Sequence, residues 1–136
     1  MWREVVANLT QDNKYVKLKP PASIDYIALV EKKLNIMLPK DLKALLMEMN
    51  GDGNFLLSAE EIIETNISLR ELEVFMPLDC LLFFAGNGCG DYFGYQIRKD
   101  GLNENNIFMW NHESDNRIWC AEGLEDAITK YYSDRI

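Results

Sequence analysis

The spacing of apolar residues changes character once along this chain. Up to about Phe75 they recur every three or four positions; from Cys80 they come in short runs and alternations. Trp2, Val5, Val6 and Leu9 fall at helical spacing, polar residues follow, and Tyr15 to Pro21 reads as an extended stretch closing on two prolines. Ser23 is placed to cap a helix on which Ile24, Ile27, Val30 and Leu34 share a side. Pro39 suits the first turn of the next helix, where its missing N–H costs nothing. Leu42, Leu45, Leu46 and Met49 then follow at i, i+3, i+4 and i+7, and Gly51 ends the segment. Ser58 and Glu61 form a capping box ahead of Ile62 and Ile63, and Leu69, Leu72 and Phe75 carry the helical spacing on towards Pro77. Leu124, Ala127, Ile128 and Tyr131 mark a final helix.

Between these helices lies a different pattern. Cys80 to Ala85 is an unbroken run of apolar or small residues, long enough for a buried strand and too short for a helix before Gly86. Gly86, Gly88 and Gly90 permit a sharp turn that leaves Asp91 at its mouth. Phe93, Tyr95 and Ile97 then alternate with Tyr92, Gly94 and Gln96, as in a half-buried strand. Lys99, Asp100 and Gly101 signal a turn, and Asn106 to Trp110 a further strand. Helices first and strands later predict an α+β domain.

Four pieces recur in a fixed order: LPKDLKALLMEMNG at Leu38 to Gly51, SAEEIIETN at Ser58 to Asn66, LLFFAGNGCGDYFGY at Leu81 to Tyr95, and WNHESD at Trp110 to Asp115. The ordered set, from Ile24 to about Tyr131, resembles the SUKH superfamily, which includes the yeast cell-wall-assembly regulators and many bacterial immunity proteins. Met1 to Pro21 matches no pattern of that family, and the loop after Gly51 is short. The resemblance implies N-terminal helices and a C-terminal helix packed around a mainly antiparallel sheet. It also implies a protein that binds and neutralises a cognate toxin, often a nuclease. The alternative within the same family is a regulatory scaffold for signalling or cell-wall proteins.

Length and charge narrow this further. A chain of 136 residues is expected to form one domain, residues 1–136, and to bury roughly two-thirds of its unfolded surface. No apolar stretch approaches the roughly 18 residues of a membrane span, and the first residues lack a secretory signal's basic start and apolar middle, so a cytoplasmic location is expected. Cys80, Cys89 and Cys120 show no CxxC spacing; reduced thiols are expected, two of them buried. With 22 acidic against 14 basic residues and a net charge of -8, the chain should repel nucleic acid and anionic membranes and steer a basic partner towards it.

Candidate chemistry is sparse. Asn50, Asp52 and Asn54 with Glu61 imitate the spacing of a calcium loop, but Phe55 stands where a sharp turn requires glycine and Glu61 is already a helix cap. The glycines at 86, 88 and 90 suggest a phosphate cradle, yet an acid and a strand follow in place of a helix and lysine. His112 is the only histidine; a couple with Cys89, or with Glu113 and Asp115, has no support beyond presence. No metal, no cofactor and no enzymatic activity are expected. The remaining constellation is Asp91, Tyr92, Tyr95, Trp110, His112, Glu113 and Asp115, with Asp52 as an outlying member. If the sheet is a meander, the turn before Asp91 and the loop after Trp110 share one end of it, giving aromatic anchors inside a carboxylate rim that would suit a basic protein partner. The competing reading is that Trp110 and one tyrosine belong to the core.

Overall fold

The computed structural model describes residues 1–136. Four helices come first: α1 (Trp2–Leu9), α2 (Ile24–Leu34), α3 (Lys40–Glu48) and α4 (Ala59–Arg70). Four strands follow, β1 (Leu81–Gly86), β2 (Tyr92–Arg98), β3 (Gly101–Trp110) and β4 (Arg117–Ala121), before α5 (Leu124–Tyr132). The strands form one antiparallel sheet in the order β1-β2-β3-β4, an α+β meander of the expected kind.

Local chemistry sets most boundaries. The Ser23 hydroxyl accepts from the Tyr26 N–H, and Asn35 closes α2 in the left-handed conformation at φ 52°. Pro39 sits just outside α3, whose helical part ends at Glu48. Ser58 and Glu61 make the reciprocal capping box of α4. Gly51 is required twice over: its φ is +86°, and a Cβ there would come within 2.9 Å of the Ser58 backbone nitrogen. The helical spacing of Leu69, Leu72 and Phe75 does not extend α4, which stops at Arg70. Leu72 and Val74 have no core to face and stay exposed, while Met76 gives its N–H to the Asp115 carboxylate at 2.9 Å.

Two apolar clusters hold the sheet. The larger, of 24 buried residues, draws Trp2 and Val6 from α1, Val30, Leu45 and Ile62 from the later helices, Leu82 and Phe84 from β1, and Ala127 and Ile128 from α5. The smaller consists of Leu78, Leu81, Phe83 and Trp110 on the opposite side of β1, with Phe75 packed against it. Alternation along β1 feeds both, so all six of its residues are buried. The outer edge of β1 is covered: Leu57 donates to Phe84 at 3.0 Å, Gly86 to Phe55 at 2.9 Å, and the Asn66 side chain pairs with both backbone groups of Phe83. No strand lies outside β4.

Three sequence expectations need correction. β3 begins at Gly101 rather than Asn106, because hairpin pairing with β2 recruits polar residues that no apolar pattern marks. β4 was not foreseen; as an edge strand it leaves Ile118 and Trp119 both exposed and shows no alternation. Cys80 and Cys89 are exposed and Cys120 half-buried, since the first two sit at a strand entry and a turn tip. No helix is long and apolar enough to cross a membrane.

Candidate functional site

The meander brings the β1–β2 turn and the β3–β4 loop to the same end of the sheet, as Tyr92 pairs with both Gly86 and Trp110. There Asp91 meets His112. One carboxylate oxygen of Asp91 lies 2.7 Å from His112 Nδ1 and accepts the His112 backbone N–H at 3.0 Å. Its other oxygen accepts from the Asn87 amide at 3.0 Å. Gly90 makes this contact possible: its φ is +102°, and any Cβ would lie 2.9 Å from His112 Nδ1. Burial tends to raise the Asp91 pKa, but the hydrogen bonds from His112 and Asn87 outweigh it and hold the carboxyl below its ordinary value.

A carboxyl held low in the folded state stabilises the fold above its unfolded pKa of 3.8, and that contribution is lost as the pH falls through the lowered folded value. Asp91→Asn is therefore expected to flatten the acid limb of a stability curve measured by urea unfolding between about pH 2 and 6. An unchanged acid limb would mean that the Asp91–His112 contact contributes nothing.

The neighbouring acids divide into engaged and unengaged. Asp115, at φ 59°, accepts the Trp110 indole N–H at 2.8 Å and an Arg117 N–H at 3.0 Å on one oxygen, and the Met76 N–H on the other. Those donors, Met76 first, hold its pKa below the ordinary range. Arg117 also donates to the Met76 and Pro77 carbonyls at 2.7 and 2.9 Å, so Asp115 and Arg117 together clamp the segment after α4 onto this end. Glu113 is exposed and takes part in no ion pair.

Of the expected surface anchors, only Tyr92 is partly accessible. Trp110 is 1% exposed, its ring between Phe75 and Phe83. Tyr95 is also 1% exposed and packs on Phe84 with ring centroids 4.9 Å apart, so neither presents a ring to a partner in this conformation. Each lies on a strand face that helices or the Phe75 segment cover. Asp52 is fully buried: one oxygen accepts the backbone N–H groups of Asn54, Phe55 and Leu56 at 2.8 to 3.0 Å, and the other accepts the Tyr132 hydroxyl. Its carboxylate folds a loop and offers no charge to a partner. Asp91, His112, Glu113 and Asp115 are brought together; Asp52 stands apart.

The chemistry available at this end is limited by these bonds. His112 hydrogen-bonds Asp91, and no cysteine thiol hydrogen-bonds its ring. No three His, Cys, Asp or Glu side chains are grouped to hold a metal ion. Asn50 and Glu61, the outer members of the calcium-like spacing, are spent on helix α4, accepting the Ala59 and Ser58 N–H groups.

At the opposite end the bonding is different. A cleft of about 400 Å³ is lined by Asp41 from α3, Glu104 and Asn105 from β3, and Glu122 to Asp126 leading into α5. Only Asp126 has an ion-pair partner, Lys130 at 3.2 Å. The sequence reading missed this group because its members lie in three separated stretches; the one local signal was Glu122, Glu125 and Asp126 crowded at a helix start.

Residues 21–130 match the model of the SMI1 / KNR4 family (SUKH-1). The match leaves out α1 and most of the extended stretch after it, which are nevertheless integral: Trp2 and Val6 are core residues, and Lys17 and Lys19 bond to Asp52 and Gly51. No curated protein matches the chain.

Proposed function

The chain belongs to the SMI1/KNR4 family (SUKH-1), and on that premise we propose that it is an intracellular immunity protein that inhibits a cognate toxin by stoichiometric binding, without catalysis. The observation that carries this reading is the state of its carboxylates. Of 22 acidic residues, only Glu31, Glu48, Asp91, Asp115 and Asp126 sit in salt bridges, so most of the surplus charge behind the net -8 faces solvent unpaired. Such a surface steers a basic partner and repels phosphates. A nuclease active site is basic because it grips phosphate, which makes it a natural target for unpaired carboxylates.

The test is co-expression with the toxin candidate encoded in the neighbouring reading frame. Growth should be rescued, and a one-to-one complex should survive gel filtration. Its association rate should fall steeply as salt rises, since the charges involved are exposed. Lack of rescue, or a rate indifferent to salt, would count against the reading. The regulatory-scaffold alternative predicts binding without rescue.

A further inference from the structure

The two edges of the sheet differ. The outer edge of β1 is closed by Phe55, Leu57 and Asn66, whereas no strand lies outside β4. Asn111 donates to the Asn116 carbonyl at 2.9 Å, and Trp110 stands opposite Arg117, which fixes the alternation of the β3–β4 ladder. Ile118 therefore turns its backbone groups towards β3, and Arg117 and Trp119 turn theirs to the free edge. No loop or side chain bonds to those outward groups. The opening ends at Cys120, where the register shifts and Lys130 Nζ donates to the carbonyl at 2.9 Å.

An open edge is ordinarily blunted by proline or by projecting charge. β4 has neither. Ile118 is 51% and Trp119 44% exposed, on opposite faces of the strand, and none of the 22 acidic residues falls within Arg117–Ala121. Its one charged side chain, Arg117, is drawn back: the N–H groups are spent on Asp115 and on the Met76 and Pro77 carbonyls, which leaves the flat face of the guanidinium for stacking. The Trp119 ring is held as well, its N–H donating to Asn106 at 2.8 Å, with Lys130 Nζ 5.1 Å from the centroid. Fixing both groups in advance lowers the entropic cost of using them in a contact.

We propose that β4 is a dimerisation edge whose occupant is β4 of a second copy, paired antiparallel about a two-fold axis at Ile118. In this register Arg117 and Trp119 exchange both their backbone groups with Trp119 and Arg117 of the second copy, so each outward donor meets an acceptor. Ile118 meets its own counterpart at the axis, as a close apolar pair. On the other face each Arg117 lies opposite the second copy's Trp119, a guanidinium beside an indole twice over. The two four-stranded sheets become one.

Charge favours a second copy at this place. A chain of net charge -8 repels its own kind over most of its surface, but here the approaching strands bring no acid against an acid: Asp115 comes opposite Ala121, and Ser114 opposite Glu122. The pairing stops where Lys130 and the register shift close the edge, which limits it to the start of β4 and disfavours a longer foreign strand. So short a contact is smaller than a permanent dimer interface, and the dimer forms reversibly with concentration. This inference stands apart from the immunity reading: a toxin bound elsewhere would give a two-to-two complex, still one to one in subunits.

The experiment is sedimentation equilibrium of the intact chain from micromolar to millimolar concentration, with amide exchange read by NMR at both ends of the range. The mass should rise from that of a 15.7 kDa monomer towards twice that value, and the Arg117 and Trp119 amides should gain protection as it does. Ile118→Lys sets two like charges face to face at the axis on a half-exposed edge position and should leave a folded monomer at every concentration. Trp119→Ala should weaken the dimer about tenfold through loss of both arginine contacts. Val74→Lys, at an apolar residue 84% exposed outside the sheet, should leave it intact. A mass that stays monomeric, or a dimer that survives Ile118→Lys, would overturn the proposal. So would a native chain that is monomeric alone and protects Arg117 and Trp119 only when a toxin is added, which would assign the edge to a foreign strand.

Discussion

Replacing Asp52 with alanine is expected to cost about 3 to 5 kcal/mol of folding stability, read as a lower urea midpoint at unchanged slope. The reason is concentration of partners on one carboxylate. Three consecutive backbone N–H groups, of Asn54, Phe55 and Leu56, converge on a single oxygen, and the Tyr132 hydroxyl donates to the other. Alanine leaves those donors buried with no acceptor. The loss would spread, because the same loop joins Phe55 to β1 through the Gly86 N–H and stacks its ring on Tyr131 of α5 at 4.0 Å. Asp52→Asn keeps one oxygen for the backbone donors and should cost clearly less. Equal losses in the two variants would show that charge, not acceptor count, organises the loop.

Trp110→Ala should cost about 3 to 5 kcal/mol as well, through a different mechanism. Trp110 fills the smaller core with Leu78, Leu81 and Phe83, and Phe75 meets it edge-on with ring centroids 4.9 Å apart. Its removal opens a void in a cluster too small to repack. It also takes one donor from Asp115, the residue that holds Met76 in place. The effect should therefore be uneven: hydrogen exchange at the Met76 amide should accelerate more than at Leu45 or Leu46 in the larger core. Trp110→Phe keeps most of the volume and loses only the indole bond to Asp115, so it should cost clearly less than Trp110→Ala. Matching exchange rates at both places would show that the two clusters unfold as one.

The elements that sequence reading found are those whose signal is local. The capping box of α4 and the Ser23 cap need only residues three apart, and β1 needs only an apolar run between a turn and a glycine. What it overran or missed depended on partners elsewhere. Leu72 and Phe75 keep helical spacing, yet the chain leaves the helix at Arg70 and the next segment is held by Asp115 and Arg117 from about forty residues on. β4 has no burial pattern of its own and exists because β3 pairs with it. For the candidate site, the meander was enough to expect Asp91 and His112 at one end of the sheet, while their contact also needs Gly90. The burial of Trp110 and of one tyrosine, Tyr95, is the competing reading; it could not be chosen in advance, because an alternating strand identifies its two faces without saying which of them will be covered.

Composition fixed the surplus of negative charge, and apolar period located the five helices and the strands β1 and β2, since both are properties of short windows of chain. Only the tertiary structure decided which carboxylates keep their charge available. Asp52 is buried under four donors, and Asp91 and Asp115 are answered by His112 and Arg117. Asp41, Glu104 and Glu122 are brought together without ion-pair partners, Glu104 accepting the Lys40 N–H, from places more than fifteen residues apart in sequence. An acid's availability depends on which donors and cations the folded chain sets beside it, and those neighbours come from contacts between distant segments.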